Sequence, residues 1–151
     1  MGEIRAFAPY EPQRKTARSA YVKALLCYFA TNLNLALHRA PISVVLPFYH
    51  GDKAAYLHEA LLSIERQSLR ATEVLLVQDG QVGKELEDLV KEWLERMPEL
   101  RLVVRAENGG LSAALNTGIE AAQMEWLARM DADDICCADR FEKQWKVIEK
   151  Q

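Results

Sequence analysis

The sequence predicts a doubly wound α/β domain: a mostly parallel, Rossmann-like sheet with helices on both faces, preceded by an N-terminal helical arm. Three observations carry this. Four short apolar runs recur between residues 41 and 151, the segments between them have helical periodicity, and polar residues gather just past the runs. Strands separated by helices require crossover connections, which are right-handed almost without exception and leave the strands parallel.

The arm comes first. Residues 1–40 carry six Lys/Arg against two Asp/Glu, whereas residues 41–151 carry thirteen against twenty. Composition changes with the sign of the charge at Ala40-Pro41, which divides the chain into a basic arm (1–40) and an acidic globular body (41–151). Residues 1–18 are basic and contain Pro9 and Pro12. From Ser19 onward Val22, Leu25, Leu26, Phe29 and Leu33 follow one helical face. Lys23, Asn32 and Asn34 interrupt this stretch, leaving it short of the ~20 apolar residues that span a bilayer. An apolar run near Met1 with a small-residue cleavage site is absent, so no signal peptide is expected. An amphipathic helix with basic flanks packs on a protein surface or lies on an anionic membrane. The expected location is cytoplasmic, with peripheral contact at the inner membrane face through this arm.

The body follows in order. Ile42-Ser-Val-Val-Leu46 is a buried strand closed by Pro47. Residues 53–68 place Ala54, Leu57, Leu61, Leu62 and Ile64 at near-helical spacing. Glu73-Val-Leu-Leu-Val77 is the second strand, ending in the turn signal Gln78-Asp79-Gly80. Residues 82–96 form an amphipathic helix with Leu86, Leu89, Val90, Trp93 and Leu94 on one side, stopped by Pro98. Arg101-Leu-Val-Val104 is the third strand and leads into the loop Glu107-Asn-Gly-Gly110. A helix over 111–123 and a strand over Trp126–Met130 complete the alternation. The acidic loop Asp131-Ala-Asp-Asp134 precedes a last helix starting near Asp139, itself a plausible cap.

Composition narrows the function. The chain has 151 residues, 50% hydrophobic and 27% charged, with seven Gly and five Pro, which excludes collagen-like and disordered classes. A net charge of −3 gives no nucleic-acid footprint. The three cysteines (Cys27, Cys136, Cys137) are too few for a disulfide framework and lack metal-cluster spacing. Cys136-Cys137 reads as packing. His38, His50 and His58 are scattered, and neither a dinucleotide fingerprint nor a P-loop is present.

The chemistry collects at strand ends. Tyr49 and His50 follow the first strand, Asp79 the second, and Asp131, Asp133 and Asp134 the fourth. Open α/β sheets bind ligands at that edge. Taken singly, Asp79-Gly80 is an ordinary turn and an acidic loop can be solvated. The loop cluster is harder to explain so, because three carboxylates within four residues repel unless water or a cation screens them. An Asp-x-Asp pair suits Mg²⁺ or Mn²⁺, which take one or two protein carboxylates and complete their shell with phosphate and water. Such an ion would neutralise a departing diphosphate. An aspartyl-phosphate hydrolase would instead place its acid after the first strand, where this chain has Pro47-Phe-Tyr49.

Four segments in order and spacing resemble the nucleotide-sugar-binding half of family 2 glycosyltransferases. They are Ile42-Ser-Val-Val-Leu-Pro-Phe-Tyr49, Val74-Leu-Leu-Val-Gln-Asp-Gly80, Asn108-Gly-Gly-Leu-Ser-Ala-Ala-Leu-Asn116 and Ala128-Arg-Met-Asp-Ala-Asp-Asp134. The chain departs from the family pattern at Gln78, often Asp, at Leu115, frequently Arg, and at Met124, usually Gly. The resemblance implies a GT-A fold, a nucleotide-diphospho-sugar donor (a UDP-sugar first) and Mn²⁺ or Mg²⁺ at the DxD loop. It also implies a saccharide or lipid-linked acceptor. By that analogy Pro47 and Tyr49 line the base pocket, Asp79 contacts the base, and Asp131 the ribose or sugar. Asp133 holds the metal, and Asp134 supports it or touches the sugar. The catalytic base is expected from a C-terminal part beyond Gln151. The alternative is a catalytically incomplete module that binds nucleotide-sugar or a protein partner.

Overall fold

The computed structural model describes residues 39–150, so the helix expected in the arm lies outside the described residues. Four parallel strands form one sheet in the order β3-β2-β1-β4. They are β1 (Arg39–Phe48), β2 (Arg70–Asp79), β3 (Leu100–Arg105) and β4 (Trp126–Arg129). Between and after them lie α1 (Ala54–Glu65), α2 (Lys84–Arg96), α3 (Leu111–Ala121) and α4 (Arg140–Ile148). The expected alternation is present throughout. Among the described residues no helix is long and apolar enough to cross a membrane.

Both long strands outrun the apolar runs that announce them. β1 begins at Arg39, so the composition change at Ala40-Pro41 falls inside it. Pro41 has no N–H to give the ladder, and the β1–β2 register shifts between Ala40 and Ser43. Thr72 Oγ1 donates to Ala40 O at 2.8 Å across that irregularity. At the other end Pro47 pairs with Val77 in register, beyond Val45, the last β1 residue with a β4 partner. On that side its missing N–H falls just past the last β1–β4 pair.

Helices cover both sheet faces. The larger core joins Val44, Leu46, Phe48, Val74 and Leu76 to Leu57 and Leu61 of α1, Val90 and Trp93 of α2, and Phe141 of α4. The alternate residues Val45, Leu75 and Val77 face the other way and meet Ala114 of α3. The period-2 alternation of a strand therefore feeds two cores. α3 lies so close to the sheet that a Cβ at Gly118 would sit 2.4 Å from Val45 Cγ1 and 3.0 Å from Val77 Cγ2. Gly118→Ala should cost about 1–2 kcal/mol, overpacking outweighing the better helix propensity. Urea unfolding of the variant checks this.

Asp139 does not cap α4 through its side chain. Its carboxylate pairs instead with Lys143 Nζ at 2.7 Å, one helical turn on.

The crossover helices α1 and α2 step the sheet from β1 to β3, and α3 then returns the chain to β4 on the far side of β1. The direction of winding therefore reverses between β1 and β4. A crevice is expected outside the strand ends at such a reversal.

Candidate functional site

A cavity of about 510 Å³ opens at this reversal, within the range of ligand pockets. Pro47 and Phe48 end β1, and Asp79 ends β2. Asn108 and Gly110 come from the loop before α3. Asp131 and Asp133 come from the loop after β4. Every crossover that ends at this edge contributes.

The β2 end is held by several polar contacts. Asp79 is buried, and its carboxylate accepts from Gly109 N at 3.0 Å and Gly110 N at 2.8 Å, with Arg105 Nε 3.0 Å away. Asn108 Nδ2 donates to Asp79 O at 3.3 Å. Glycine is required at both sides of this contact. Gly80 has φ 82° and Gly110 has φ 80°, the left-handed region, and a Cβ on Gly80 would lie 2.7 Å from Asn108 N. Arg105 also donates through Nη1 to Thr117 Oγ1 at 3.2 Å, tying α3 to the same corner.

The β1 end is a turn closed by its own side chain. Tyr49 N donates to Asp52 Oδ2 at 2.9 Å, and Asp52 N returns a bond to Tyr49 O at 3.1 Å. Tyr49 is half-exposed on the cavity wall, with His50 edge-on at 5.2 Å between ring centroids. A side chain at Gly51 would collide with the Tyr49 ring. Burial pushes the Asp52 carboxyl above its ordinary range; the Tyr49 amide opposes this, the Asp133 charge adds to it, and His50 relieves it slightly. A carboxyl raised in the folded state binds its proton more tightly there, so stability falls as pH rises through its pKa. Asp52→Asn keeps the acceptor oxygen and should raise the melting temperature at pH 7. The gain should vanish at acidic pH, where the native carboxyl is already protonated.

The acidic loop holds two unlike carboxylates. Arg129 grips Asp131 in a fork, Nε to Oδ1 at 3.0 Å and Nη2 to Oδ2 at 2.9 Å. Asp133 is exposed and makes no ion pair or side-chain hydrogen bond among the described residues. No cluster of three or more His, Cys, Asp or Glu that could hold a metal exists among the described residues. The Asp131/Asp133 pair therefore fits only an ion that draws most of its ligands from phosphate and water.

Pro47, Tyr49, Asp79, Asp131 and Asp133 thus share one cavity, as their strand-end positions predict. Asp134 is not on its wall: its side chain is exposed and its N–H returns to Asp131 O at 3.2 Å. Asp52, Asn108, Leu111 and Ala114 line the cavity without having been singled out as ligands. Asp52 had a signal, an acid three residues past Tyr49 in a turn. Leu111 and Ala114 had only their place at the start of α3.

The family model described as Glycosyl transferase family 2 matches residues 43–151. The chain belongs to this family. Family 2 relatives include an uncharacterized glycosyltransferase of Haemophilus influenzae, 42% identical over 108 residues, covering 72% of this chain and 40% of that protein. The amylovoran biosynthesis glycosyltransferase AmsE of Erwinia amylovora is 40% identical over 107 residues, covering 71% and 40%. This chain therefore spans about 40% of the length of these two relatives. Among solved structures, the mannosyltransferase PcManGT of Pyrobaculum calidifontis in complex with GDP-Man and Mn2+ is similar with TM-score 0.60 and 25% identity. That likeness covers 82% of this chain and 39% of that one. S. aureus TarS 1-349 in complex with UDP-GlcNAc shares the fold at TM-score 0.64 and 23% identity, covering 72% and 31%. The GT-A architecture of family 2 is thus the fold observed for residues 39–150.

Proposed function

We propose that the cavity binds the nucleotide-diphospho-sugar donor of a glycosyltransferase, with Mn²⁺ or Mg²⁺ bridging the diphosphate to the acidic loop. The carrying observation is one cavity joining an aromatic wall at Tyr49 to the exposed carboxylate of Asp133. Pro47 and Tyr49 would line the base, and Asp79 would fix the base side of the pocket. Asp131 would reach the ribose or sugar once its Arg129 partner yields, Asp133 would hold the metal, and Asp134 would support it. The metal supplies positive charge to the departing diphosphate.

The donor is a UDP-sugar in this reading, and the acceptor a saccharide or lipid-linked hydroxyl. PcManGT, with GDP-Man and Mn2+ bound, supports the donor and metal chemistry. An Escherichia coli relative, 35% identical over 100 residues, is named as a galactosyltransferase acting on a diphosphoundecaprenol-linked sugar, which supports a lipid-linked acceptor. The basic arm would then keep the protein at the inner membrane face. A module that binds donor without transferring it is the second reading.

The test is a thermal-shift panel of UDP, GDP and UDP-sugars with Mn²⁺ and with EDTA. A diphosphate at 100 times its dissociation constant should add about 2.7 kcal/mol of stability. Equal shifts with and without EDTA would refute the metal bridge. Sugar transfer in the Mn²⁺ arm separates the enzyme from the binding module.

A further inference from the structure

The acidic loop is built like a span between two anchored posts. Upstream, Met130 N donates to Val45 O at 3.0 Å, continuing the β1–β4 ladder. Downstream, Cys136 N donates to Ser63 Oγ at 3.0 Å. Cys137 O accepts from Gln67 Nε2 at 2.7 Å, and Ala138 O from Ser68 N at 2.8 Å. Between the posts, residues 131–135 have one backbone bond of their own, Asp134 N to Asp131 O. One side chain reaches both posts. Arg140, at the first turn of α4, donates through Nη2 to Arg129 O at 3.0 Å. Its Nη1 lies 3.5 Å from Met130 Sδ and 3.6 Å from Cys136 Sγ.

This guanidinium therefore joins the exit of β4 to the return of the loop, and does so from a third element. Arg129, whose carbonyl it holds, is the residue whose side chain forks onto Asp131. Arg140 thus reaches the donor-site carboxylates through the backbone of their neighbour, without lining the cavity of Asp131 and Asp133. Among the described residues its acceptors are a carbonyl and two sulfurs rather than a carboxylate, and no ion pair explains its place. A planar fork with several fixed donors suits such a three-point brace; a lysine ammonium, a single point charge, does not.

We propose that Arg140 is a positioning residue of the donor site, setting the aim of Asp133 for a diphosphate-bound divalent ion and of Asp131 for the ribose or sugar. The proposal rests on the donor-site reading above. A metal ligand carried on a five-residue span tolerates little slack, because an ångström of misplacement separates a ligand from a bystander.

Arg140→Met and Arg140→Lys test it in the full chain. Amide hydrogen exchange is followed at residues 130–137, and UDP binding is titrated with Mn²⁺ and with EDTA. Arg140→Met should speed exchange at Asp134 and Cys136 while leaving α2 and β3 unchanged. It should weaken Mn²⁺-dependent UDP binding on the order of tenfold or more. Arg140→Lys should fall between. Unchanged exchange in the loop would overturn the brace, and faster exchange with unchanged Mn²⁺-dependent affinity would overturn its bearing on the site. Failure of the unsubstituted protein to bind UDP with Mn²⁺ is read separately from both; it overturns the donor-site reading, and with it any role for Arg140 there.

Discussion

Glu73→Ala should destabilise the domain by about 3–5 kcal/mol, the cost of breaking a buried charge network at one member. Glu73 is buried in β2, and its carboxylate is shared among three strands' worth of structure. Ser43 Oγ of β1 donates to Oε2 at 2.6 Å, Gln123 N donates to the same oxygen at 2.9 Å, and Arg101 of β3 pairs with Oε1. Ser43 Oγ in turn accepts from Met124 N at 3.1 Å. The network fixes the turn that feeds β4, at the end of the sheet away from the cavity. Alanine leaves the Ser43 hydroxyl and the Gln123 amide without their acceptor, each about 1–3 kcal/mol. Arg101 is half-exposed and recovers water, so it adds little. Glu73→Gln keeps an acceptor for Ser43 and Gln123 and should lose less. Denaturant unfolding of both variants measures the difference; equal losses would mean that the charge, not the acceptor, holds the turn.

That network also marks where sequence reading ends. β1 and β2 were legible because their central residues are buried on both faces and therefore apolar without interruption. Their outer residues were not. Arg39 and Arg70 extend the β1–β2 ladder as a register pair, and both pair with Glu99. A run of hydrophobicity cannot announce such a strand end. Glu73 opens the second apolar run, yet its partners lie 28 to 50 residues away, beyond any local pattern. The site was more legible than the strand ends. Parallel sheets bring all carboxyl ends to one edge, so polar residues just past three of the strands predict one cluster without knowledge of strand order. What order and spacing could not supply is which acids are spoken for. Asp79 is committed to Gly109, Gly110 and Arg105, and Asp131 to Arg129, whereas Asp133 has no side-chain partner among the described residues. Adjacent acids also diverge: Asp133 lines the cavity, and Asp134 does not.

Asp133→Asn should abolish the metal-dependent part of nucleotide binding while leaving the ligand-free protein as stable as before, or more so. The substitution changes charge and almost no volume, and Asp133 has no hydrogen bond or ion pair among the described residues to lose. It also removes one of the influences that hold the Asp52 carboxyl above its ordinary range, since the Asp133 charge adds to burial there. The empty site is therefore relieved rather than damaged. The liganded site behaves oppositely. An amide oxygen carries no net charge, and a hard divalent ion already short of protein ligands loses the carboxylate that would hold it. The roughly 2.7 kcal/mol that UDP with Mn²⁺ adds at 100 times its dissociation constant should fall to the level seen in EDTA. Melting curves of the two proteins, with and without UDP, Mn²⁺ and EDTA, contain the whole comparison. If Asp133→Asn lowers the ligand-free melting temperature, the loop's acid is structural, and its exposure is not that of a ligand awaiting an ion. If the Mn²⁺-dependent shift survives intact, Asp131 alone carries the metal, and the fork from Arg129 must open further than the cavity geometry requires.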